Sequence, residues 1–166
     1  LLYKSGYGLY LTDLAGDDSI ARMDIKNLDQ VLDFTKVNKP DIVFHLAAET
    51  DVDKCELNKD HAYETNTKGT ENMAIACREY DIPLVYVSTA AVFDGEKEGG
   101  YAEEDKPNPL NIYGWSKLKG EEIIRSMLVK YYIVRAGWMI GGYDKDKKFV
   151  WKIIQLLKNR KEISAV

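Results

Sequence analysis

Cysteine is scarce in this chain: Cys55 and Cys77 stand far apart and form no Cys-x-x-Cys pair. Neither a disulfide framework nor a thiol redox motif is expected, and reduced thiols in a cytoplasmic setting are the default. Histidine is equally sparse. His45 and His61 have no partners at ligand or triad spacing, so no metal centre and no Ser-His-Asp arrangement is expected. Neither charge sign dominates. The 23 Lys and Arg against 27 Asp and Glu leave a net charge of −4, interleaved along the chain, which argues against a nucleic-acid partner. No apolar run approaches the ~18–20 residues of a membrane helix, and no secretory signal opens the chain, so no membrane association is expected. Internal repeats and low-complexity tracts are absent. A glycine-rich phosphate turn after a strand is also missing. Gly6-Tyr-Gly8 precedes a strand-like segment, and Gly137-Trp-Met-Ile-Gly-Gly142 comes late and lacks the spacing.

What is present reads as a single α/β domain over residues 1–166, long enough for a sizeable core. Pro40-Asp-Ile-Val-Phe-His-Leu-Ala-Ala48 is a short apolar run ending in small residues, the pattern of a buried parallel strand. Leu84-Val-Tyr-Val-Ser-Thr89 and Tyr131-Tyr-Ile-Val-Arg-Ala-Gly137 are two more such runs. Helical spacing fills about 62–80 between the first two. A polar, turn-rich loop over 94–111 and a second helical run lie between the last two, and 143–148 forms another polar loop. This rhythm predicts a doubly wound, Rossmann-like parallel sheet. Ligands bind such sheets outside the carboxyl ends of the strands, where Ala47, Ala48, Ser88, Thr89 and Gly137 fall.

Tyr113-Gly-Trp-Ser-Lys117 carries the most chemical information. Asn111 is a candidate cap for the helix that follows, and residues four apart share one helix face, so both side chains can reach one cleft. An ammonium within ~4–6 Å of a phenol favours the phenolate and lowers its pKa by roughly 1–3 units from about 10. That would give a proton donor tuned for general acid–base work. A solvated Tyr–Lys pair on a helix face is the plainer alternative. Asp13, ending the strand-like Gly8-Leu-Tyr-Leu-Thr12, reads equally as a ribose-binding carboxylate or a turn aspartate. His45 reads as a satisfied structural group, and Trp115 and Trp151 as packing residues.

Six blocks in order make the chain resemble the extended short-chain dehydrogenase/reductase superfamily, and within it the dTDP-4-dehydrorhamnose reductases and their sugar-nucleotide relatives. They are Asp24-Ile25, His45 to Glu56, Asn66-Thr-Lys-Gly-Thr70, Ser88-Thr-Ala-Ala-Val-Phe-Asp-Gly95, Tyr113 to Lys117, and Val134-Arg-Ala-Gly-Trp-Met-Ile140. The resemblance implies a fold truncated at both ends here, with a first strand and Gly-rich turn upstream and a substrate-binding portion downstream. It implies a Thr89–Tyr113–Lys117 triad, and NAD(H) or NADP(H) held by Asp13, Asp24, Ile25, Ala47, Ala48, Glu49, Thr50, Tyr113 and Lys117. Thr89, Ala90 and Trp138 would meet a nucleotide-sugar substrate, Asn66 would support the site, and a homodimer is compatible with the family. The implied chemistry is reduction of a 4-keto nucleotide sugar, with Asp13 favouring NAD(H) or use of both cofactors.

Two departures stand out. Ala90-Ala91 replaces the family's usual Asp-Tyr, and Glu49 replaces a neutral, often aromatic, residue. The alanines lack the acids a dehydratase needs after its threonine. A sugar-nucleotide epimerase remains an alternative, as does a non-catalytic subunit resembling the regulatory subunit of methionine adenosyltransferase.

Overall fold

The computed structural model of the protein describes residues 5–137, 139, 154–155 and 157–158. The chain divides into two compact units, Leu1–Ala136 and Gly137–Val166. In the second, residues 154–155 and 157–158 are helical. Trp138, Trp151 and the loop expected over 143–148 lie outside the described residues.

The first unit is built on three strands: β3 (Val43–His45), β4 (Leu84–Thr89) and β5 (Tyr131–Ala136). They lie in the order β3-β4-β5, parallel throughout, as the buried runs predict. The register sets Tyr86 beside His45 and Thr89 beside Ala136, so the carboxyl ends fall on one side of the unit. Two further strands, β1 (Thr12–Asp13) and β2 (Ala21–Arg22), form a separate parallel pair. Both strand predictions in this half are longer than the strands themselves. β1 keeps only the end of Gly8–Thr12. β3 keeps the middle of 40–48, because beyond His45 the backbone of Glu49 bonds to the Asn66 side chain instead of to a strand.

Asx caps start the helices. Asn27 caps α1 (Leu28–Asn38), Asp51 caps α2 (Val52–Leu57), Asn58 caps α3 (Lys59–Tyr63) and Asn111 caps α5 (Ile112–Met127). Each side-chain oxygen accepts an otherwise orphaned amide of the first turn. Between α3 and α4 (Gly69–Glu79) the helical path passes through a π-helical segment, Glu64–Lys68, rather than one continuous α-helix. Such bulges often coincide with functional positions, and this one seats the fully buried Asn66.

α4 carries two cores on two faces. Ala74 and Cys77 pack with Leu84, Tyr86, Ile124 and Leu128, while Met73 and Ala76 pack with Met23, Ile25 and Val31. The half-buried Val43 touches both clusters. The second core thereby attaches β2 and α1 to the helix that also covers β4. On the opposite face of the strands, Phe44, Tyr132 and Val134 are exposed.

Leu84 has no exposed surface and sits at the start of the central strand. Leu84→Ala should destabilise the protein by ~2–5 kcal/mol, as buried leucines do when a cavity replaces them. Val129→Ala, at a fully exposed position, should change stability by less than ~0.5 kcal/mol. Urea denaturation of the two variants side by side checks the contrast.

Candidate active site

Two glycines press α5 onto the strand ends. A Cβ at Gly114 would collide with the Ala91 carbonyl oxygen, and one at Gly120 would lie 2.7 Å from the Tyr86 hydroxyl. The helix can therefore approach β4 closely at two points about 1.7 turns apart. Asn111 bonds to the Gly114 amide at 2.8 Å and fixes where the helix begins. Tyr113 lies in the first turn, half-buried, and Lys117 follows one turn later, only 2% exposed.

The Lys117 ammonium lies 4.1 Å from the centroid of the Tyr86 ring. Such a cation–π contact stabilises by ~0.5–2 kcal/mol, the upper end applying away from water. The Tyr86 hydroxyl, seated in the notch left by Gly120, donates to the Lys117 carbonyl at 3.3 Å. No carboxylate pairs with the ammonium among the described residues. Burial consequently pushes the Lys117 pKa down to about 8, partly opposed by the charge of Glu121.

Tyr113 departs from the sequence expectation. Its pKa is raised, chiefly by burial, with the Thr89 hydroxyl acting in the opposite direction and Cys55 adding to the rise. Lys117 is not among the groups that shift it. The ammonium stands over Tyr86, and loss of water around the phenol outweighs what lies nearby. At neutral pH the phenol is therefore a protonated donor.

Thr89 ends β4, 8% exposed, and its Oγ1 accepts the Ala91 amide at 3.1 Å. That bond opens the 3-10 turn Ala90–Val92 and leaves the hydroxyl proton available for donation. Ala90 is exposed and lines an open cleft of about 740 Å³, together with Phe93, Tyr101, Arg125, Ile133 and Arg135. Thr89, Tyr113 and Lys117 do not line that cleft.

The β3 end is held by Asn66. Its side chain accepts the Glu49 amide at 2.8 Å and donates to the Glu49 carbonyl at 3.0 Å and to Ser116 Oγ at 2.9 Å. Ser116 donates in turn to the Tyr113 carbonyl at 2.8 Å, so one asparagine links the loop after β3 to the tyrosine's helical turn. Ala47 and Thr50 are exposed and Ala48 partly so. The Glu49 carboxylate faces Lys54 at 3.0 Å and His61 at 3.5 Å, and its pKa is lowered despite partial burial.

Asp13 is exposed and accepts the Ala15 amide at 3.0 Å, closing the turn ahead of Gly16. Asp24 accepts the Lys26 amide, and its own amide donates to Gln30. Asn27, not Asp24, caps α1. Ile25 is buried beneath Gly69, and its carbonyl accepts Asn72 Nδ2 at 2.9 Å. Trp138 lies outside the described residues. His45 is satisfied by Thr70 at 3.0 Å, as read from the sequence. Trp115 is 38% exposed and is no core residue. Among the described residues no cluster of His, Cys, Asp or Glu could hold a metal ion. No helix there is long and apolar enough to cross a membrane. Sequence reading passed over Asn72, Tyr86 and the Ser88–Glu121–Arg135 bonds. Asn72 and Glu121 offered a visible signal, as polar residues on the apolar faces of α4 and α5.

Parallel strands ending beside a helix that presents a buried lysine and a protonated tyrosine make this a Rossmann-like α/β domain. Residues 4–166 match the family described as the RmlD substrate binding domain, and the chain belongs to that family. It is 36% identical over 146 residues to the dTDP-4-dehydrorhamnose reductase of Aggregatibacter actinomycetemcomitans, covering 88% of this chain and 49% of that protein. Against the Escherichia coli reductase, identity is 31% over 96% of this chain and 50% of the relative. The crystal structure of the Bacillus anthracis dTDP-4-dehydrorhamnose reductase in complex with NADP superimposes with a TM-score of 0.79 at 41% identity, over 83% of this chain and 48% of that one. The chain thus spans about half the length of the relatives it matches.

Two outcomes test this geometry. Gly114→Ala should cost at least ~1–3 kcal/mol, because backbone oxygen cannot yield to the new methyl as a side chain could; thermal unfolding measures it. His45 is buried neutral, its pKa lowered from 6.5 to about 3 by burial first and the Lys117 charge second. The unfolded chain binds that proton and the folded one does not, so stability should fall as pH drops below 6.5. The carboxylates whose pKa values are lowered act only below the ordinary 4.5 and 3.8. Between 6.5 and 4.5 the loss should therefore belong largely to His45, and His45→Gln should flatten it in urea titrations at each pH.

Proposed function

We propose that the protein is an NADP(H)- or NAD(H)-dependent reductase of a 4-keto nucleotide sugar, of the dTDP-4-dehydrorhamnose reductase type, with Thr89, Tyr113 and Lys117 at its reaction centre. The observation that carries this reading is the buried Lys117 ammonium, in no direct ion pair among the described residues, one helical turn from a protonated Tyr113 and beside the end of β4. An ammonium so placed suits the vicinal hydroxyls of a nicotinamide ribose, which can replace the Tyr86 ring as its partner. The small Ala47 and Ala48 at the end of β3 let a flat ring system approach the backbone, and Asp24 and Ile25 supply the matching place for an adenine. The exposed Asp13 carboxylate would accept the hydroxyls of the adenosine ribose. The similar Bacillus anthracis enzyme was solved with NADP, so the Asp13 carboxylate is read as compatible with both dinucleotides.

A reduced nicotinamide, when bound, supplies the hydride to the carbonyl carbon. Tyr113 gives its phenolic proton to the carbonyl oxygen as the oxygen gains charge, and Thr89 steadies that oxygen with its hydroxyl hydrogen. The raised tyrosine pKa suits this direction, since reduction consumes the protonated phenol and bulk water restores it. Ala90-Ala91 places no acid beside the sugar, which favours hydride chemistry over elimination.

In the complete protein, Tyr113→Phe should lower turnover of dTDP-4-keto-sugar by roughly 10²–10⁴-fold, with NADPH affinity nearly unchanged. The alkaline limb of the wild-type rate should lie near pH 8, where Lys117 loses its proton. Stopped-flow NADPH oxidation across pH checks both. Wild-type rates in Tyr113→Phe, or a wild type that binds NADPH tightly without oxidising it, would contradict the reading.

A further inference from the structure

Glu121 is a fully buried acid one turn beyond Lys117 and two beyond Tyr113, on the same side of α5. Arg135 of β5 grips it with both ends of its guanidinium, Nε at 3.0 Å from Oε1 and Nη2 at 2.7 Å from Oε2. Ser88 of β4 donates to Oε1 at 2.6 Å, and Arg125 reaches Oε2 at 3.2 Å. Burying such a pair costs several kcal/mol of desolvation per ion, so it is weak evidence for stability alone. Its placement points elsewhere. Ser88 immediately precedes Thr89, and it is the register partner of Arg135. One carboxylate therefore touches the helix of Tyr113 and Lys117, the strand of Thr89 and the strand beside it.

We infer that Glu121 is a positioning residue for the reaction centre: its bonds to Ser88 and Arg135 hold the Thr89 end of β4 against α5, and its negative charge balances the Lys117 ammonium. The groups around Lys117 support the second half. His45 faces it from β3, held neutral by burial, and Tyr86 faces it from β4, its phenol pushed well up by burial. Tyr113 on its own helix is a protonated phenol. Around Glu121 itself stand Ser88, Arg125 and Arg135, of which two are cations. Among the described residues, Glu121 is the one carboxylate that raises the Lys117 pKa. The inference rests on the reductase reading for its consequence in turnover, but not for its charge balance.

Glu121→Gln keeps the shape and some hydrogen bonding while removing the charge. The charge that opposes the effect of burial on Lys117 is then gone, so the lysine should lose its proton at lower pH, by at least ~0.5 unit. NMR of ε-carbon-labelled lysine, assigned through Lys117→Met, reads this without any turnover. The pH above which NADPH binding weakens should move down with it, and Glu121→Asp, which retains the charge, should restore both. A purely structural role would lower stability and leave the titration in place. Ser88→Ala tests the other half, and decides the matter alone if Glu121→Gln does not fold. It should lower turnover about tenfold with NADPH affinity and the Lys117 titration unchanged, as a small misplacement of a reacting group does. A folded Glu121→Gln with wild-type Lys117 titration, or Ser88→Ala with wild-type turnover, would overturn the inference. A wild type without turnover but with the shifted lysine would instead remove the reductase reading and leave the charge balance standing.

Discussion

A lysine sealed inside the unit is the constraint on which the surrounding arrangement depends. Buried ammonium groups are costly, and this one has an aromatic face beneath it and one carboxylate a turn away. The Tyr86 ring that supplies that face sets its hydroxyl end against α5, which needs the notch at Gly120. For the helix to come so near, Gly114 must pass under the Ala91 carbonyl, which Thr89 sets through its bond to the Ala91 amide. Each of these residues answers to the same demand. A side chain that could simply have faced water is held instead where the strands end.

A second line of bonds supports the first from the other side. Asn66, seated in the π-helical segment, clasps the Glu49 backbone and Ser116, while Thr67 donates to the Ser116 carbonyl at 2.8 Å. Phe93 stacks on Tyr101 with centroids 4.1 Å apart and carries the Arg135 guanidinium at 4.9 Å. Tyr101 donates to Asp94 at 2.6 Å, and Asn108 and the Glu96 amide bond to the same carboxylate, whose pKa these bonds lower to about 2. The loop after β4 is therefore tied through Arg135 to the helix that bears Tyr113. The cleft-lining loop and the helix of Tyr113 and Lys117 therefore share one framework.

The three parallel strands and the start of α5 were legible in the sequence because both rest on local pattern. Short apolar runs with small or hydroxyl-bearing ends identify β3, β4 and β5, and Asn111 announces the start of α5. The length of β3 was not legible, since the backbone beyond it is taken by the side chain of Asn66, distant in sequence. The π-helical segment was hidden for a similar reason: nothing in Glu64–Lys68 forbids an ordinary α-helix, and only the tertiary bonds of Asn66 use the bulge. Spacing placed Tyr113 and Lys117 on one face but could not say what each side chain meets. The lysine was expected to act on the tyrosine, whereas the packing gives it Tyr86, a residue whose role depends on a glycine 34 positions later. Glu121 likewise reads as another charge on a helix until Arg135 and Ser88 close around it.

The most direct measurement is a crystal structure of the complete protein with NADPH and a non-reactive nucleotide sugar bound. The account predicts that Lys117 Nζ hydrogen-bonds to the nicotinamide ribose hydroxyls, with Tyr113 Oη and Thr89 Oγ1 both at the sugar's C4 oxygen. A lysine still resting on Tyr86, with the dinucleotide seated away from α5, would contradict it.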